Sequence, residues 1–276
     1  MKDKQFLLPR QLAQDIGWPD TEIHKEMLEG FRLVGKGTKS GVFKSEVKTA
    51  AMTEMDLMEK AKFLRPLILG KIANSKEPDY LTELHNITDN EAGDKGWLEG
   101  PMSAEQVSEQ LGDVWLPVQR FAVRQKNKLR PIDNFAENRV NEAWECPEKI
   151  DLHALDQLTW LISIVCKVAA ARGVIEIPLK NGERLSGKLH EAWNLESLKC
   201  LISTLDLKDA YKQFGIHKDD RCKSVVSLKR LDGKGTTHYV MNCLPFGASS
   251  SVHNFNRIGR MIWAIGVTEL RLPWVN

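Results

Sequence analysis

The hydrophobic pattern divides the chain into a polar, helical first third followed by short strands that alternate with helices. In TEMDLMEKAKFLRPLILGKI the apolar residues Met55, Leu57, Met58, Ala61, Leu64, Leu67 and Leu69 form roughly one helical stripe, and Pro66 predicts a kink or break. The acidic, turn-rich stretch SKEPDYLTELHNITDNEAGDKG reads as a linker. A new unit starts near GPMSAEQVSEQLG, where Ser103 and Gln106 have capping-box spacing and Gly112 suits a helix stop. Phe121–Val123 and Leu129–Ile132 are β-prone runs joined by RQKN, which predicts a hairpin with a basic tip.

Residues 150–172 follow a helical period, and Asn181-Gly182 marks a second hairpin. KCLISTLDL, from Lys199, reads as a strand, and KSVVSL and HYVMNCL form a third hairpin about LDGKG. SSSVHNFNRIGRMIWAIG predicts a helix capped by Ser249 or Ser250 and ended by Gly266. Its apolar face would be Val252, Phe255, Ile258, Ile262 and Ile265, and its polar face His253, Asn254, Arg257 and Arg260. The expected class is α+β. The expected divisions are a helical region at 1–100, a subdomain at 101–195 and a last one at 196–276.

Composition changes this picture little. The 276 residues are 42% hydrophobic and 28% charged, as in an ordinary soluble protein of one or two domains. A net charge of +2 conceals basic clusters at 120–130 and 221–230, either of which could meet nucleic acid. Cys146, Cys166, Cys200, Cys222 and Cys243 are odd in number and lack a C-x-x-C pair, as expected for reduced thiols in an intracellular protein. MKDKQFLLPRQLAQD carries no apolar leader, and LTWLISIVC is too short to span a bilayer, so no membrane partner is expected.

Two candidate motifs are set aside. Gly30 to Lys36 has phosphate-loop spacing, but Gly37 stands where a hydroxyl is required and no strand precedes it, so a surface turn suffices. Cys222, His238, Cys243 and His253 lack the short paired spacings of a zinc site.

Three segments reinforce one another. In STLDLKDAYKQFGI, Asp206 and Asp209 fit either a helix cap or a metal site at a strand end. NCLPFGASSSVHNFNR lies about forty residues downstream, and the basic hairpin RFAVRQKNKLRPIDNF lies upstream. In this order, over 116–276, the three resemble the reverse transcriptases, in particular the RNA-directed DNA polymerases of retroelements. The hairpin resembles that family's fingers, TLDLKDAYKQ its first catalytic motif, and LPFGASSSVHNFNR its second palm motif.

The resemblance implies template-directed addition of deoxynucleotides to a primer 3′-hydroxyl, along RNA or DNA, by two magnesium or manganese ions about 4 Å apart. It gives Asp206 the catalytic, metal-bridging role and the Leu207 carbonyl the next metal oxygen. Amides near Asp209 and Ala210 would face the triphosphate of the deoxynucleotide, as at a helix start, with the Asp209 side chain a structural cap. Tyr211 falls at the sugar gate; otherwise it is a core tyrosine. Arg130 would stack on the base and contact phosphate, and either Arg124 or Lys126 would reach the terminal phosphate. Phe246 and Gly247 would lie against the nascent base pair.

The family's Asp-Asp hairpin has no counterpart, for no Asp follows Asp232. The chain therefore reads as fingers and an incomplete palm, truncated and inactive by itself. The rivals are a nucleic-acid-binding remnant without catalysis and an unrelated α/β protein whose acids are caps.

Overall fold

The computed structural model describes residues 6–126, 128–151, 174–179, 182–188 and 207–269, with a few single positions between 159 and 167. By contacts the chain groups into two units, one of residues 1–150 with 209–276 and one of residues 151–208. The first hundred residues therefore pack in the same unit as the basic hairpin and the last helix. Among the described residues this unit holds eight strands and six α-helices, and the class is α+β.

The larger unit is built on a five-stranded sheet of order β3-β10-β9-β4-β5, with β3 Leu98–Met102, β4 Pro117–Gln125, β5 Lys128–Asn134, β9 Val225–Lys229 and β10 Thr236–Met241. Within this sheet β4 and β9 are the parallel pair, Pro117 lying opposite Val225. Alternation along β9 sends Val226 and Leu228 into the main core and Val225 into a smaller cluster with Val107 and Trp115. The strand is thus buried on both faces, Ser227 included. A smaller sheet places β6, Trp144–Lys149, between β1, Gly35–Lys36, and β2, Lys44–Lys48. All five residues of β2 are exposed, so no hydrophobic alternation announces it in a region expected to be helical.

Helix α1 covers Leu7–Asp15, α2 Ile23–Glu29, α3 Glu54–Asn74, α4 Leu81–Gly93 and α5 Ala104–Leu111. The capping box of α5 and its end at Gly112 match expectation. Helix α3 begins with a Thr53/Asp56 capping box and runs on through Pro66. Its inward stripe is Leu57, Ala61, Ile68 and Ile72, while Met55 and Leu67 are 78% and 69% exposed, contrary to the predicted stripe. The expected linker is helix α4. Its buried Leu81, Leu84, His85 and Thr88 follow helical spacing, a period masked by the acidic residues within and around it.

Helix α6, Ser249–Glu269, continues past Gly266. Its predicted faces are partly reversed: His253, Asn254 and Arg257 are buried, whereas Val252 and Ile262 are 40% and 43% exposed. Asn254 is satisfied within the helix, accepting from Arg257 Nη1 at 3.0 Å, while the other two meet charged groups from elsewhere in the chain. Arg257 pairs with Asp20, and His253 Nε2 lies 3.5 Å from Glu148.

Acid–base pairs also tie the first hundred residues down. Asp220, fully buried, accepts from Arg32 Nε at 2.9 Å, the Leu33 amide at 2.6 Å and Lys223 Nζ at 2.7 Å. Nearby, Phe31 N donates to Gly215 O and His217 N to Phe31 O, both at 2.9 Å. This backbone approach explains Gly30: at φ +94°, an added Cβ would lie 2.5 Å from the Ile216 carbonyl. Gly30→Ala is expected to cost about 2–3 kcal/mol in chemical denaturation, from strained backbone and steric overlap together. A loss below about 0.5 kcal/mol would mean that the two segments separate readily.

In the smaller unit the described hairpin is β7, Val174–Pro178, antiparallel to β8, Arg184–Lys188, with Gly182 at φ 88° in the turn. The expected strand from Lys199 lies outside the described residues except for Leu207, and so does most of the helix expected over 150–172.

Candidate nucleic-acid interface

The basic hairpin forms as its alternation predicts, β4 pairing with β5 from Gln119↔Asn134 to Gln125↔Lys128. The same register sorts its cations. Val123 lies opposite Arg130 on an exposed face, whereas Arg124 lies opposite buried Leu129. Neighbouring residues on a strand point to opposite faces, so Arg124 and Arg130 do not share one. Arg124 instead reaches Glu83 of α4 at 3.2 Å, in an exposed pair worth little. Lys126 stands exposed at the tip, with φ 54°.

Arg120, the first cation of this cluster, is buried beneath the sheet. Its Nε and Nη2 donate to Asp133 at 2.7 and 3.1 Å, and Nη1 donates to Glu91 at 2.7 Å. Burial acts to raise the Asp133 carboxyl, but Arg120 and Lys212 outweigh it and hold that group below the usual carboxylate range. The second basic cluster is paired as well. Arg221 binds Glu99, Lys223 binds Asp220 and Glu54, and Arg230 binds Asp232.

Residues from Asp209 onward form a short 3-10 turn, Ala210–Gln213, rather than a helix. Asp209 occupies the left-handed region at φ 60° and makes no side-chain cap bond, so the expected cap is not formed. Ala210 has φ 21°. The half-buried Tyr211 ring stacks edge-on with Phe246 at 4.6 Å and Phe255 at 4.7 Å, and burial raises its hydroxyl pKa. Phe246 is 49% exposed, so this aromatic group reaches the surface.

The Leu-Pro-Phe-Gly segment joins these parts. Leu244 N donates to Phe214 O at 2.8 Å. A Cβ on Gly247, at φ +97°, would fall 2.8 Å from the Asp133 carbonyl oxygen at the end of β5. Asn141 fastens the far side: its Nδ2 donates to Gly247 O at 2.9 Å, and its Oδ1 accepts from Ser249 N at 2.8 Å. Tyr211, Phe246, Gly247 and the hairpin end are thus brought together, with Lys126 and Arg130 on the hairpin beyond.

Asp206, the expected catalytic carboxylate, lies outside the described residues, and Leu207 is 37% exposed. Among the described residues no three His, Cys, Asp or Glu side chains form a group that could hold a metal ion. The described residues do not by themselves supply the expected magnesium or manganese site. No helix among the described residues is long and apolar enough to cross a membrane.

Sequence reasoning missed Asp133, Asn141, Glu91 and Lys212. Hairpin register alone could have found Asp133, since it sets Arg120 opposite that residue. Glu91 gave no signal, because it sits on the element read as a linker. No known protein family matches the sequence, and no curated protein matches it.

Proposed function

We propose that the chain is the fingers and part of the palm of a reverse-transcriptase-like polymerase of a retroelement, and that it binds a template–primer and deoxynucleoside triphosphates. One observation carries this reading beyond the motif order. The turn after Asp209, the Leu-Pro-Phe-Gly segment and the basic hairpin are far apart in sequence, yet their ends touch through Tyr211, Phe246, Gly247 and Asp133. In this reading the Tyr211–Phe246 aromatic surface faces the nucleotide, and Lys126, Lys128 and Arg130 neutralise phosphates.

Binding of a primer–template duplex by residues 1–276 should weaken steeply with salt, because each neutralised phosphate releases counterions. The Lys126→Ala/Arg130→Ala pair should flatten the log–log slope by about one to two units. An unchanged slope would remove the hairpin tip from the interface. A wild-type chain that binds neither RNA nor DNA duplex would sink the proposal.

A further inference from the structure

We propose that a buried charge quartet, Glu91 and Lys212 with Arg120 and Asp133, sets the position of the Tyr211 turn relative to the basic hairpin. Lys212 and Glu91 would then be positioning residues for the nucleotide face. This inference rests on the reading above for its functional consequence, although the coupling itself can be tested without it.

The four groups come from three segments remote in sequence. Arg120 and Asp133 belong to the hairpin, Glu91 to α4, and Lys212 to the turn that carries Tyr211. Their side chains are 1%, 4%, 13% and 7% exposed, in that order, so water screens them little. Two cations meet two anions, which leaves the cluster neutral overall. Glu91 Oε2 is the shared vertex, 2.7 Å from Arg120 Nη1 and 3.9 Å from Lys212 Nζ.

Lys212 is the member held least tightly. Among the described residues its ammonium has no hydrogen-bond partner; besides Glu91 it feels the charge of Asp133 and lies over the Trp97 ring, 5.8 Å from the centroid. A buried ammonium is expensive without a counter-charge, so Glu91 determines where the Lys212 side chain can sit. The backbone fastens Lys212 in turn, its amide donating to Asp209 O at 2.7 Å. Tyr211 is the adjacent residue, and its ring rests on Phe246, one position from the Gly247 contact with Asp133. A shift of Lys212 must therefore be felt at Tyr211, and α4 becomes part of the site.

The chain has three tyrosines, Tyr80, Tyr211 and Tyr239, so 3-fluorotyrosine labelling gives three fluorine signals, with Tyr211 assigned by Tyr211→Phe. Lys212→Met removes the charge while keeping most of the side-chain volume. It should move the Tyr211 signal and leave that of Tyr80 in place. Glu91→Gln should move the same signal, and the double variant should move it no further than the larger single change. Should Lys212→Met not fold, Glu91→Gln alone carries the test. A Tyr211 signal fixed in the folded variants would overturn the inference, as would a shift of all three signals together.

The second arm is primer–template binding. Lys212→Met should weaken it roughly 3- to 30-fold with an unchanged salt slope, because Lys212 acts through Tyr211 and not on phosphate. A slope reduced by about one unit would make Lys212 a direct phosphate contact and overturn the positioning role. Unchanged affinity beside a moved Tyr211 signal would overturn it too. If the wild-type chain binds no nucleic acid, the functional reading fails, while the fluorine arm still decides the coupling.

Discussion

Arg257→Ala should cost about 3–5 kcal/mol of folding stability, enough to unfold much of a marginal domain. The guanidinium is fully buried in α6 and donates to both oxygens of buried Asp20, at 2.8 and 2.9 Å. It also donates to Asn254 Oδ1 at 3.0 Å and lies 2.5 Å from Glu26 Oε2. Burial alone would favour loss of the charge, but the Asp20 and Glu26 carboxylates outweigh it and raise the Arg257 pKa. Truncation leaves Asp20 as a buried carboxylate without its counter-ion, and that uncompensated charge makes up most of the cost. The double variant Asp20→Leu/Arg257→Met, which removes both charges, should recover a large part of the loss. Urea denaturation of the two variants tests the account. A single-variant loss under about 1 kcal/mol would mean that water reaches the pair and screens it.

Acidification from pH 6.5 to 4 should remove about 3 kcal/mol through His238 alone. This ring is 1% exposed, with Nδ1 2.9 Å from Ser227 Oγ, Nε2 3.1 Å from Thr236 Oγ1, and its edge against Trp115. Burial pushes its pKa down from 6.5 to about 4. The unfolded chain takes up the proton near the ordinary value and the folded chain only near the lower one. Stability from this group is therefore full above pH 6.5 and is lost as pH falls towards 4. His253, also lowered by burial and by neighbouring Arg257, acts in the same direction. Asp133, Asp220 and Glu148 are held below their ordinary values, so their stabilisation is lost only at lower pH. Unfolding free energy should hold level from pH 7.5 to about 6.5 and then fall towards pH 4.5, and His238→Gln should flatten the fall. A wild-type curve already flat over that range would show that the ring protonates in the folded protein without penalty.

Local signals in the sequence determined the elements whose chemistry is local. The β4–β5 and β9–β10 hairpins, the α5 capping box and the existence of α6 follow from alternation, turn residues and caps, each decided within a few residues. The grouping of Tyr211 with Phe246 and Gly247 was legible as well, as three motifs in a set order. What the sequence could not decide is which polar groups are buried. Arg120, Lys212, His253 and Arg257 look like surface residues by type, and the predicted polar face of α6 rested on that assumption. Only the tertiary structure supplies Asp20 from the loop before α2, Glu91 from α4 and Glu148 from β6 as their partners. A charge can leave water only where an opposite charge meets it, and such a meeting between separate elements, 29 residues apart for Arg120 and Glu91 and 237 for Arg257 and Asp20, leaves no trace in local periodicity. The same logic turned the acidic stretch before Gly93 from an expected linker into a helix: its acids are partners for distant cations, and they hid the apolar stripe that packs it against the sheet.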